Sequence, residues 1–220
     1  MTLLQQETEL LPHDAIVAKE TRRFYERFAV EYASSIPHNV TGAMKEWLDV
    51  FVAGIERSER VFEIGSGTGR DAAYLESLGY DVQRSEIAEP FLKSFREQGV
   101  EALRFDVLTD PFPASQRAVF ANSVFCHMTA RQLGRALKNV HDALEPGGRL
   151  AFNTKADEVR WGATVRNARL PGYRYFSHWP PSLIRSEVEN MGFDVLWWSE
   201  KPAILRPTPW VNLVVRKRQD

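Results

Sequence analysis

The stretch Val61-Phe62-Glu63-Ile64-Gly65-Ser66-Gly67-Thr68-Gly69-Arg70-Asp71 decides how this chain is read. Val61, Phe62 and Ile64 read as a buried strand, and three alternating glycines break it into a turn. From Arg70 onward, Asp71-Ala72-Ala73-Tyr74-Leu75 has helical spacing. Glycines suit such a turn because a side chain would clash with a ligand lying on the backbone, and because positive φ is open to glycine. The helix start offers unpaired N–H groups to a polar ligand. Strand, glycine turn and helix in that order form the crossing where doubly wound α/β proteins bind nucleotide-like cofactors.

Spacing selects among such cofactors. The dinucleotide fingerprint is Gly-x-Gly-x-x-Gly, but here Arg70 stands where its third glycine belongs, which disfavours a nicotinamide-dependent oxidoreductase. Glu63, two residues before the first glycine, would repel a pyrophosphate and suits a ligand carrying an ammonium and a sulfonium. Glu63 also reads as a cap on the loop N–H groups, and a carboxylate in that role stays negative, so the two readings coexist. On these residues the chain resembles the class I S-adenosylmethionine-dependent methyltransferases, whose first motif runs hydrophobic-hydrophobic-acidic-x-Gly-x-Gly-x-Gly. The resemblance covers about residues 60–155 by motif and the remainder by layout. It implies S-adenosylmethionine as cofactor, S-adenosylhomocysteine as product, and Glu63, Gly65, Ser66, Gly67 and Gly69 as part of the cradle.

Around the motif, strand and helix patterns alternate. Strands are expected at 61–65, 81–86, 100–105, 117–122 and 148–154, and helices near 69–79, 89–98 and 129–145. A helix at 181–191 and strands near 193–199 and 209–216 follow. This alternation argues for a parallel sheet covered by helices on both faces. With the late hairpin it gives an α/β, doubly wound, seven-stranded, mostly parallel sheet with an antiparallel C-terminal hairpin, the arrangement of the family it resembles. Two amphipathic segments come first, Ala15 to Ser34 with Ile16, Phe24, Phe28 and Tyr32 on one face, and Val40 to Ile55 with Met44, Trp47, Leu48 and Phe51. Residues 1–14 read as a loose lead-in. Residues 1–58 are therefore expected to form an N-terminal helical lid, and 59–220 a Rossmann-like methyltransferase domain with a substrate-facing insertion at about 155–180, a single domain in all.

Three strand ends extend the constellation. Glu86 lies about twenty positions past the glycine turn, where an acid can accept both ribose hydroxyls; the other reading is a solvated surface glutamate, or a partner for Arg84. The resemblance places an adenine-facing acid at Asp106, with the Val107 backbone against the ring, while a turn cap before Pro111 is the alternative. Asn122 ends the fourth strand, where it could touch the methionine moiety. Phe125 could lie against the adenine or close the pocket. In the family an N-terminal tyrosine often reaches the cofactor carboxylate, which points to Tyr32; core packing is the competing reading.

Methyl transfer needs a lone pair aligned with the S–CH3 bond and water kept out. No metal is required. His127 is the candidate general base, because imidazole titrates near neutrality and follows the fourth strand; a histidine bonded to backbone is the alternative. Tyr25 is placed to close over the acceptor. The segment 159–186 holds Arg160, Arg166, Arg169, Arg174 and Arg185 among Trp161, Tyr173, Tyr175, Phe176 and Trp179 without one acidic residue. Arginine forks bind carboxylate or phosphate and aromatic faces hold planar rings. Arg160, Trp161, Arg174 and His178 are therefore expected to face a small acceptor that is anionic or aromatic, transferred to at O or N; the competing reading is a solvated insertion.

Composition sets outer limits. The chain has 220 residues, 44% hydrophobic and 26% charged, with a net charge of −1, which gives no general attraction to nucleic acid or an anionic membrane. The single cysteine, Cys126, excludes an internal disulfide and fits a reducing, cytoplasmic setting. No apolar run is long enough to span a bilayer, and Glu7 and Glu9 stand where a signal peptide would need a basic start. A tRNA or protein methyltransferase and a non-catalytic cofactor-binding module remain as alternatives.

Overall fold

The computed structural model describes residue 4 and residues 9–157, 172–201 and 209–219, together with the backbone of 163–166. The glycine motif sits where expected, after β1 (Arg60–Ile64) and before α3 (Arg70–Ser77). The other strands of the main sheet are β2 (Asp81–Glu86), β3 (Leu103–Arg104), β4 (Gln116–Ala121), β5 (Leu144–Ala156), β9 (Phe193–Lys201) and β10 (Trp210–Lys217), in the order β3-β2-β1-β4-β5-β10-β9. β10 runs antiparallel to both β5 and β9, while β1, β2, β3, β4 and β5 pair in parallel. A two-residue strand, β8 (His178–Trp179), pairs with β5 beyond the end of β4. This is the expected doubly wound sheet with one short strand more.

Burial explains the layering. Along β1, β4, β5 and β10 successive residues point to opposite faces. Phe62, Ile64, Val119, Leu150, Phe152 and Leu213 join Leu133, Leu137 and Val140 of α5 (Ala130–Ala143) and Ile184 and Val188 of α6 (Pro181–Asn190). Val61, Val82, Phe120, Ala151 and Val214 face the other way, onto α2 (Gly42–Val52) and α3 through Trp47, Leu48, Phe51 and Leu75. Trp47 is wholly buried and its indole N–H donates to the Leu213 carbonyl at 3.0 Å, which satisfies the one polar atom the ring brings into the core.

Several expectations change in detail. Only Leu103 and Arg104 of the expected strand 100–105 pair with β2. The lead-in is tied down: Leu4 is fully buried, and its backbone N–H donates to Glu187 at 2.8 Å. It lies so close to Gly134 that a Cβ there would meet the Leu4 carbonyl at 2.3 Å. α1 runs from Pro12 to Ser35 and departs from helical geometry at Phe28. Its buried face is Val17, Thr21, Phe24, Phe28 and Ala29, while Ile16 is exposed. The insertion holds a β-hairpin, β6 (Ala163–Arg166) antiparallel to β7 (Tyr173–Phe176), which the sequence pattern did not separate from loop. α4 (Glu89–Glu97) completes the helices of the described residues.

α1 is anchored at its first turn. The Asp14 carboxylate accepts from the Leu11 N–H at 2.8 Å and from the Thr129 hydroxyl at 2.6 Å, and the Gln132 side chain donates to the Asp14 carbonyl at 2.8 Å. All three side chains are buried. Thr129→Val, which keeps shape and removes the donor, should destabilise the fold by about 1–3 kcal/mol, read as a lower urea midpoint with unchanged slope; Thr129→Ser should recover most of it.

Candidate active site

The strand order reverses between β1 and β4, and the crevice at such a switch point is where open α/β sheets bind ligands. Three segments converge there: the glycine turn after β1, Glu86 at the end of β2, and Asn122-Ser123 at the end of β4. Each glycine of the turn has positive φ, 70°, 53° and 77° at Gly65, Gly67 and Gly69. A Cβ on Gly65 would lie 2.5 Å from Val124 Cγ2, whereas at Gly67 nothing stands within 4 Å. The turn therefore packs tightly on one side and leaves bare backbone on the other.

Glu86 is buried and holds the turn in place. One carboxylate oxygen accepts from the N–H groups of Ile87 at 2.7 Å and Ala88 at 2.9 Å, and the other accepts from Gly67 at 2.9 Å. This excludes the solvated reading. Pairing with Arg84 is excluded too, since Arg84 makes a two-pronged contact with Glu76 at 2.5 and 2.7 Å. Burial raises the Glu86 pKa and the three N–H groups oppose that rise.

Glu63 is buried below the turn. Burial, reinforced by Asp71, pushes its pKa up to about 8, and its Oε2 has no hydrogen-bond partner. An uncompensated carboxyl in that position gains from a neighbouring cation. Asp71 is itself engaged by Arg70 at 2.6 Å and by the Asn122 amide at 2.7 Å. Asn153 ties this corner to β5, accepting from the Ser123 N–H at 2.7 Å and donating to Asn122 at 2.8 Å. Ser123 is the one non-glycine residue with positive φ among those described, and such strain persists where surroundings over-determine it.

A cavity joins these parts to α1. Gly65, Gly67, Glu86, Asp106, Val107 and Asn122 line one part of it, and Tyr25, Tyr32 and His127 the other. Glu63, Ser66 and Gly69, expected as cradle residues, are not among the residues that line it. Asp106 lines the cavity and also caps its own turn, accepting from the Leu108 N–H at 2.9 Å. Phe125 is displaced from its expected place: it is fully buried against Phe152, 5.5 Å between ring centres. His178 does not line the cavity either, because β8 draws it into register with Lys155 and buries it, and Arg174, expected to face the acceptor, is off the wall with Tyr25 between. Arg160 and Trp161 lie outside the described residues. The sequence reading missed Thr21, Ile87, Phe91 and Met128, all on the wall. Thr21 was accessible in principle, one helical turn before Tyr25 on the same face.

The tyrosine–histidine corner has a defined proton arrangement. His127 Nδ1 lies 2.7 Å from the Tyr175 carbonyl, which can only accept, so Nδ1 carries the proton. Nε2 then accepts from the Tyr25 hydroxyl at 2.9 Å, and that hydroxyl oxygen accepts from Arg174 Nη1 at 3.0 Å. Burial pushes the His127 pKa down to about 3 and raises that of Tyr25 well above its usual value, Tyr32 adding to the effect. The imidazole is neutral at pH 7, and its free lone pair is taken by Tyr25.

A family model described as a methyltransferase domain matches residues 62–152, the span from β1 to β5 that carries the glycine turn, Glu86 and Asn122. Over that span the chain carries a methyltransferase domain. The uncharacterized methyltransferase GK2543 of Geobacillus kaustophilus (strain HTA426) is 28% identical over 167 residues, covering 69% of this chain and 77% of that protein. Among solved structures, the Burkholderia thailandensis 1,6-didemethyltoxoflavin-N1-methyltransferase with S-adenosylhomocysteine superposes with a TM-score of 0.74 at 18% identity, over 96% of this chain and 92% of that one. The [4+2]-cyclase SpnF gives 0.69 at 13% identity, over 91% and 97%. These structural likenesses carry the fold; one of them belongs to a cyclase, so the acceptor chemistry rests on the site itself.

S-adenosylmethionine is the cofactor of this methyltransferase, and the residues present fit it. The open face of Gly67 and the remaining acceptor capacity of Glu86 answer to a close backbone approach and a ribose.

Because His127 binds fewer protons folded than unfolded between its shifted and ordinary values, its contribution to stability is complete above about pH 6.5 and is lost as pH falls toward about 3. Its imidazole NMR signals should accordingly not titrate between about pH 5 and 8; a midpoint near 6.5 would contradict the buried pair.

Proposed function

We propose that this methyltransferase transfers the methyl group of S-adenosylmethionine to an oxygen or nitrogen of a small-molecule acceptor. The observation that carries the reading is one cavity with two walls. The glycine turn and Glu86 stand on one side, and Tyr25, Tyr32 and His127 under α1 stand on the other. A chamber closed by a helix suits a small acceptor better than a tRNA or protein segment, and it excludes water from the reacting atoms.

When bound, the cofactor supplies an electrophilic methyl carbon whose sulfur leaves as a neutral thioether. The chain's own contribution is position. Gly67 offers backbone against the cofactor, Glu86 its ribose contact, and Asp106 with Val107 the base. Tyr32, which meets Tyr25 edge-on at 5.1 Å between ring centres, closes the chamber from α1. Asn122, fixed by Asp71 and Asn153, sets the floor at the end of β4. Tyr25 and His127 hold an acceptor in line rather than pull a proton from it. A neutral histidine that already accepts a hydrogen bond is a weak base, so an acceptor with a ready lone pair at neutral pH suits the site.

The decisive measurement is S-adenosylhomocysteine formation from purified protein and S-adenosylmethionine. It should appear with small organic acceptors and not with bulk tRNA or protein; turnover on macromolecules alone would overturn the reading. For the cofactor wall, Glu86→Ala should weaken S-adenosylhomocysteine binding by about 1–3 kcal/mol, read by titration calorimetry. Unchanged affinity would remove Glu86 from the ribose contact.

A further inference from the structure

Among the described residues, one buried charge has no opposite charge to meet it. Arg174, on β7, is 6% exposed. Among the described residues its side chain makes one hydrogen bond, from Nη1 to the Tyr25 hydroxyl, and its Nε is buried without a partner. No carboxylate forms an ion pair with it among those residues. Its surroundings are instead aromatic: the guanidinium carbon lies 4.5 Å from the ring centre of Phe24, 5.2 Å from Phe176, 5.6 Å from Tyr25 and 5.9 Å from Tyr32. Rings soften the burial of a guanidinium but do not fill its five-donor fork. A buried cation in this state is costly unless something anionic completes it.

Its place in the fold says what that something is. Tyr25 and Tyr32, two walls of the arginine's cage, are also walls of the reaction cavity, and Tyr25 bridges Arg174 to His127. Arg174 is thus one phenol away from the atoms placed around the acceptor. The departure of α1 from helical geometry at Phe28 falls between Tyr25 and Tyr32, so the two rings belong to different parts of the helix. A second cation, Lys155 on β5, lies 4.8 Å from the centre of the same Phe176 ring.

We propose that Arg174 is the anion-binding end of the acceptor site, and that the acceptor is a small organic acid whose carboxylate or phosphoryl oxygens complete the guanidinium fork inside the aromatic cage. This rests on the small-molecule reading above and narrows it. An acceptor of this class arrives with its charge already developed, which agrees with a Tyr25–His127 pair held neutral by burial.

The test uses the full chain saturated with S-adenosylhomocysteine. Benzoate, phenylacetate and phenylphosphonate are titrated in parallel with benzamide and phenylacetamide, their neutral counterparts, and binding is read by calorimetry and thermal shift. At least one acid should bind about tenfold or more tighter than its amide, and Arg174→Gln should remove that advantage; Arg174→Lys should restore only part, since an ammonium lacks the fork. Preference for a carboxylate or for the phosphonate then names which oxyanion is used, and either supports the assignment. S-adenosylhomocysteine affinity checks that each variant is folded. Acid and amide binding alike, no acid binding at all, or an advantage that survives Arg174→Gln would overturn the anion site. Those results would leave the methyltransferase reading standing, whereas failure of the wild-type chain to bind S-adenosylhomocysteine would strike that reading instead.

Discussion

The carboxylate of Glu86 takes three backbone N–H groups, and the geometry of the cofactor wall depends on that. A turn of three glycines at positive φ has little of its own to hold it in one shape, and glycine carries the largest backbone entropy of any residue. Gly67 is fixed because its N–H ends on an oxygen anchored by Ile87 and Ala88 at the start of α4. The bond thus couples the end of β1 to the end of β2. Gly65 is pressed against Val124 from the β4 side, so all three strand ends are locked to one another around open backbone.

The second wall is built from sequence-distant parts. α1 reaches the sheet through Asp14 at its first turn and through Tyr25 and Thr21 further on, Thr21 accepting from the Tyr175 N–H at 3.3 Å. At Gly172 the chain leading into β7 passes so close to α1 that a Cβ would meet Phe24 at 2.6 Å. Helix, hairpin and the turn after β4 therefore share one set of contacts, with His127 between them. This placement explains the electrostatics of the corner. Burial holds His127 and Tyr25 neutral, and Arg174 has no ion-pair partner among the described residues. The two walls differ accordingly. The wall beside the glycine turn presents the acids Glu86 and Asp106, and behind Tyr25 on the other wall Arg174 lies in a ring of aromatic side chains.

The sheet and the glycine turn were legible from the chain alone. Short apolar runs along β1, β4 and β5, helix patterns between them and three glycines after an acid are local signals, and all of them act within a few residues. Glu86 was locatable by its distance from the turn, though not its three N–H partners. Local pattern misled where partners were remote. Phe125 follows the strand like a pocket residue, yet Phe152 of β5 claims it for the core. His178 reads as a residue facing the acceptor, yet β5 takes it into a short strand. Ile16 fits a helical stripe drawn from 15–34, but the buried face is set by what α1 packs on.

Hydrophobic pattern and glycine spacing by themselves determined the doubly wound sheet and its switch point, because those follow from burial and backbone freedom along neighbouring residues, while the cofactor came from the family resemblance that the glycine motif carries. Only the tertiary structure decided what His127, Tyr25 and Arg174 are to one another. Residues 25, 127 and 174 lie on three separate elements, and the protonation and pairing of each is a property of the buried space they share rather than of the sequence around any one of them.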